Sequence, residues 1–184
     1  MTGAAGTTPA AVLELWRTAG PDKWFTKDAA FDAEIRARFL AAWEAAASGQ
    51  LATWEETAEG ALALTIVLDQ FPRNMFRGDA RTYQEDARAR AVAGRAIARG
   101  FDLEIPRGER QFFYLPFMHS EALADQEHCV ELAERYGDDD FLGYALRHAD
   151  IVRRFGRFPH RNALLGRATT ADEQAFLDGG GFRG

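Results

Sequence analysis

DAAFDAEIRARFLAAWEAAASG, residues 28–49, decides the class of fold. Asp28 is a helix-capping residue type, whose side-chain oxygen accepts from the first free N–H groups of a helix. Phe31, Ile35, Phe39 and Trp43 then recur every fourth residue, which lines them up on one face of a helix. A strand would demand a period of two. Ser48-Gly49 ends the run with residue types suited to a helix exit.

The same signals recur along the chain. Its 184 residues include 34 Ala but only 10 Val plus Ile, a balance that favours helix over strand. Thr8-Pro9 offers a cap followed by a proline in the first turn, opening a helix through Val12, Leu15 and Trp16 that Gly20-Pro21 closes. Thr53…Glu56 has capping-box spacing and predicts the start of a helix with Leu62, Ile66 and Phe71 on one face. Thr82…Glu85 repeats the box before a helix ending at Gly100. A fifth helix is expected around Glu109 to His119, kinked or restarted at Pro116. A sixth begins near Ser120 and ends on a glycine cap at Gly137. A seventh runs from about Asp140 to Phe155 and stops at Gly156, and a third box, Thr170…Glu173, starts a short last helix before Gly179. Eight helices with short connections predict an all-α chain of antiparallel αα-hairpins, in one domain over 1–184 with residues 1–8 flexible.

Composition narrows the function. Lys+Arg is 22 against 28 Asp+Glu, a net charge of −6, which disfavours nucleic acid and anionic membranes as partners. The single cysteine, Cys129, excludes a disulfide framework and a multi-cysteine zinc site. No apolar run reaches the ~18 residues of a membrane span. Met1 to Ala11 lacks a basic start and an apolar core, so no signal peptide is read and a cytoplasmic location is expected. Gly179-Gly180-Gly181 does not precede a helix, as a phosphate loop must, and no cofactor is expected.

Three segments carry candidate chemistry. Phe71-Pro72-Arg73-Asn74 returns 87 positions later as Phe158-Pro159-His160-Arg161-Asn162, each copy expected just beyond a helix. Proline and asparagine suit a helix exit, but the arginine before each asparagine has no such explanation. From Arg147 to Arg167 the chain holds six arginines and one acid, about +5, leaving −11 for the remainder. A concentrated basic segment in an acidic protein suits a small oxyanion better than a polyanion, because the arginine fork binds carboxylate or phosphate in bidentate fashion. In that segment Arg157 and Arg161 flank the turn. Tyr114-Leu115-Pro116-Phe117-Met118-His119-Ser120-Glu121 places a base, a hydroxyl and an acid side by side, though neighbours in sequence do not form a triad, and Ser120 also suits a helix cap. Asp69-Gln70 precedes the first Phe-Pro, and Asp69 is spaced to pair with Arg73. Glu121, Asp125 and His128 share a helix face, but a helical di-metal site needs a second such pair, so no metal is expected.

These three segments, together with Trp24-Phe25, Phe31-Asp32, Phe176-Leu177 and Gly181-Phe182, resemble an uncharacterised bacterial family, domain of unknown function 924, over nearly the whole chain. The resemblance implies an all-helical, tetratricopeptide-like fold and a glycine-rich tail ordered enough to pack Phe182. It brings no activity. One departure is Ala149, where the family pattern has arginine.

The expected function is a polar pocket where the three motifs converge on a small anionic metabolite. Arg73, Arg157 and Arg161 would hold the anion, and Gln70, Asn74, Tyr114 and Asn162 would orient it. His119, Glu121 and His160 would polarise or protonate it, which suits hydrolysis or proton transfer. The alternative is a tetratricopeptide-like scaffold that takes a peptide or protein partner in a helical groove.

Overall fold

The computed structural model describes residues 7–136 and 138–182, with nothing said of the Tyr136 side chain. Among the described residues there are ten α-helices and no strand: α1 (Pro9–Ala19), α2 (Pro21–Trp24), α3 (Ala29–Ala47), α4 (Ala58–Met75), α5 (Asp86–Ala98), α6 (Phe101–Glu104), α7 (Arg107–Met118), α8 (Leu123–Tyr136), α9 (Asp139–Phe155) and α10 (Ala171–Asp178). Eight of them are longer than one or two turns, and the fold is all-α. The expected flexibility of residues 1–8 falls mostly, and the glycine cap at Gly137 entirely, outside the described residues. No helix among the described residues is long and apolar enough to cross a membrane.

The chain divides into two compact units, residues up to 77 with 81–116, and 78–80 with 117 onward. In the first, α4 is the centre, packed by α1, α3 and α5. Nearly every residue of α4 from Ala58 to Met75 is buried, the polar Asp69, Gln70 and Asn74 included. Its Phe71 joins the fully buried rings of Trp16, Phe39 and Phe112: Trp16 lies 5.8 Å from Phe71 and 5.4 Å from Phe112, and Phe39 lies 5.0 Å from Phe71. Each such side chain contributes ~1.5–3 kcal/mol by leaving water. In the second unit α8 pairs with α9, and α10 packs beside a short 3₁₀ turn, Pro159–Arg161.

Several expected boundaries hold. Thr8, Asp28 and Thr170 cap their helices through side-chain oxygens, and the Thr170–Glu173 capping box is complete on both sides. Others move. Ala52–Glu56 is a 3₁₀ turn, and Thr57, not Thr53, caps α4 by accepting from the Gly60 N–H at 3.1 Å. The Thr82…Glu85 spacing likewise falls on a 3₁₀ turn, and α5 starts at Asp86 with no side-chain cap. Both prolines expected to end or restart helices lie inside them, Pro72 in α4 and Pro116 in α7. The lost N–H and ring clash cost ~3 kcal/mol, which the burial of both helices around these positions outweighs.

Candidate functional site

The sequence-predicted residues fall into two groups, one in each unit. In the first unit they are tied into buried polar pairs. Asp69, fully buried in α4, accepts from Gln70 Nε2 at 2.6 Å and pairs with Arg73 at 3.3 Å. Arg73 also meets Asp86 at 3.0 Å and donates to the Asp69 carbonyl. Burial alone would lower the Arg73 pKa, but Asp69 and Asp86 more than offset it and hold the guanidinium charged. Asn74 donates to Asp32 at 2.7 Å, alongside Arg77. Tyr114 is fully buried and its hydroxyl donates to Asp102 at 2.9 Å. Charges inside a core need such partners, and here every one of these side chains has one.

In the second unit two carboxylates build the turn that follows α9. Gly156, in the left-handed region at φ 69°, ends α9 and turns the chain into Arg157-Phe158-Pro159-His160-Arg161-Asn162. Glu121 accepts from the Phe158 backbone N–H at 2.8 Å and from Arg167 at 2.6 Å. Arg167 in turn donates to the Phe158 carbonyl at 3.2 Å, so the pair grips both backbone polar groups of one residue. Burial would raise the Glu121 pKa, but Arg167 and the Phe158 N–H hold it below the usual range. Glu173, the second carboxylate, is buried on α10 and accepts from Arg157 at 2.6 Å, from Asn162 at 3.2 Å and from the Thr170 N–H at 2.8 Å. The Arg157 bond, followed by the opposing effect of burial and then by Thr170, brings its pKa down to about 2.

That frame presents His160 and Arg161 beside His148 of α9. His148 Nδ1 is bonded to the Tyr144 carbonyl at 2.8 Å, while the buried His160 Nδ1 has no hydrogen-bond partner. Burial lowers both imidazoles, His148 to about 4 and His160 to about 3. The positive charge of Arg161 acts in the same direction on each. Both rings are therefore neutral at pH 7, in a positive local field. Arg161 is buried with its guanidinium 4.7 Å over the Phe158 ring. His119 is half-buried and acts electrostatically on His148. As the tail was expected to do, Phe182 packs, its ring 4.5 Å from His148 and 5.2 Å from His160.

Among the described residues no group of three or more His, Cys, Asp or Glu is placed to hold a metal. Of the tested face, Glu121 is taken by Arg167 and Asp125 accepts from Ser120 at 2.6 Å. Cys129 is fully buried, and burial pushes its thiol up to about 12, which keeps it protonated. Sequence reasoning missed His148 as a site residue, for its place on a long helix carries no motif. It read Glu173 only as half of a capping box, and spacing cannot show that the same carboxylate also holds Arg157 and Asn162.

A helical chain whose polar residues gather in motif turns is a broad class. The chain belongs to the family described as bacterial protein of unknown function (DUF924), which matches residues 12–181. It is similar to a solved structure, a protein of unknown function, ATU0120, from Agrobacterium tumefaciens. The two are 49% identical with a TM-score of 0.90, over 93% of this chain and 97% of that one. No curated protein matches the chain.

Proposed function

We propose that the protein binds a small anionic metabolite, a carboxylate or phosphate, at the His148–His160–Arg161 cluster of its second unit. The observation that carries this is His160: a buried ring nitrogen with no hydrogen-bond partner, beside the positive charge of Arg161, which Glu121 opposes only in part. An oxyanion offsets such a field, and its approach raises the imidazole pKa, favouring the protonated ring that donates to it. Arg157, Asn162, Arg167, Glu121 and Glu173 are then positioning residues that fix the turn. Glu121, held ionised by Arg167, is an acceptor and not a proton donor at pH 7. Proton transfer on the bound anion falls to the neutral imidazoles, with His119 at the edge. The first-unit residues Gln70, Arg73, Asn74 and Tyr114 have partners of their own and serve that unit's stability in this reading.

The test is a thermal-shift titration with inorganic phosphate and a panel of small carboxylates. A ligand at ~100 times its Kd adds ~2.7 kcal/mol, which raises the midpoint by about 5–10 °C at this size. The shift should vanish in Arg161→Ala and shrink in His160→Gln, a variant that keeps a polar side chain of similar reach. A panel without any shift overturns the proposal.

A second reading, a tetratricopeptide-like scaffold for a peptide partner, is favoured by one surface. Leu146, about half exposed on α9, lines a groove of about 310 Å³ with Glu127, Val130, Glu131, Ala149 and Arg153. Leu146→Glu would abolish capture of such a partner and leave any anion-induced thermal shift intact.

A further inference from the structure

His148, Phe158, His160 and Phe182 form a closed circuit of ring contacts. His148 lies 5.6 Å from Phe158 and 4.5 Å from Phe182, and His160 lies 5.7 Å from Phe158 and 5.2 Å from Phe182. The two phenyl rings are not equivalent. Phe158 is fully buried and its backbone N–H and carbonyl are gripped by Glu121 and Arg167, whereas Phe182 is 37% exposed.

What returns Phe182 to the imidazoles is the turn after α10. Gly180 sits in the left-handed region at φ 82°, and the Gly181 N–H donates to the Phe176 carbonyl at 2.9 Å. A Cβ on Gly181 would stand 2.5 Å from the Phe176 carbonyl oxygen and 2.6 Å from its ring, so only glycine lets the chain pass this close. Once open, three consecutive glycines have more backbone freedom than any other residues. The closed turn is therefore specific in shape yet held by few bonds.

We propose that the Gly179–Phe182 segment is a lid: Phe182 closes over His148 and His160, and lifting it opens the imidazole and guanidinium cluster to ligand. The lid stands on the ring geometry and the glycine turn; that it admits an anion rests on the function proposed above.

Carbethoxylation by diethyl pyrocarbonate, mapped to each histidine by mass spectrometry at pH 7, tests it. Both imidazoles are neutral there and nucleophilic, so cover and not protonation limits their rates. Phe182→Ala should accelerate labelling of His148 and His160 by about tenfold or more, and Phe182→Leu, which keeps an apolar cover, much less. His128, half-buried on α8, is the internal control and should keep its wild-type rate. Unchanged labelling in Phe182→Ala, or a rise shared equally by His128, overturns the lid. Saturating inorganic phosphate is then added to Phe182→Ala. Protection of His160 supports lid and anion together; faster labelling without protection leaves the lid standing while the proposed function falls.

Discussion

Gly60 and Gly143 both sit inside long helices, where alanine is the better helix former by up to ~1 kcal/mol. Their surroundings differ. A Cβ on Gly60 would collide with the Trp54 carbonyl and stand 2.9 Å from Thr57 Oγ1, while a Cβ on Gly143 meets nothing within 4 Å. The first glycine exists because backbone passes close by; the second has no such constraint. Gly143→Ala should raise stability by ~0.5–1 kcal/mol. Gly60→Ala should lower it by ~1–3 kcal/mol, since overpacking against a backbone carbonyl outweighs propensity. Urea midpoints of the two variants check the opposite signs, and a stabilised Gly60→Ala would show that the Trp54 turn yields.

At the scale of elements, caps separate what spacing can tell from what it cannot. Thr53…Glu56 satisfies the capping-box pattern, yet Thr57 adopts the extended conformation, φ −128°, and caps α4. Two threonines four residues apart offer the same cap; Thr57 takes it, and Gly60 two residues into the helix leaves room for the Trp54 carbonyl. The contact spans only six positions, yet the capping-box spacing does not contain it. Thr57→Ala should therefore cost ~1 kcal/mol, and Thr53→Ala, an exposed change away from any cap, less than about 0.5 kcal/mol. Chemical denaturation of both variants distinguishes the two helix starts. The helices themselves were legible, from α3's four-residue apolar period to the Gly156 exit of α9, because periodicity and glycine exits are local. Pro72 misled, since a proline's effect depends on how deeply its helix is buried. The site was legible as residue types and not as roles. Arginine and asparagine in the Phe158 turn announce polar contacts, but only the fold shows that Arg157 and Asn162 spend theirs on Glu173 and that His148 joins His160.

For the whole molecule, the same groups that define the candidate site make folding sensitive to acid. His148 and His160 fall from an ordinary 6.5 to about 4 and about 3 in the fold, chiefly by burial, with Arg161 adding to each. Around His148 stand His119, Arg161 and Arg147, and around His160 stand Arg161, His148, Glu121 and Arg167, of which only Glu121 favours protonation. Below pH 6.5 the unfolded chain takes up protons at these rings that the native chain refuses, so stability rises with pH through this window. It is present in full above the unfolded value and is lost as pH falls toward 3, at up to ~1.4 kcal/mol per pH unit for each ring. Glu173, at about 2 in the fold, adds its own loss only below its ordinary 4.5. The two contributions therefore separate along the pH axis. Urea unfolding of the wild type between about pH 7 and pH 4 should show a steep fall, and His160→Gln should remove roughly half of the slope above pH 4.5 while leaving the Glu173 part below it. Glu173→Gln should do the converse, lowering stability at neutral pH and flattening only the acid end. Equal slopes in wild type and His160→Gln would mean that the ring takes its proton in the folded state, which requires an acceptor at its buried nitrogen and would revise the cluster from a neutral pair of imidazoles to a charged one.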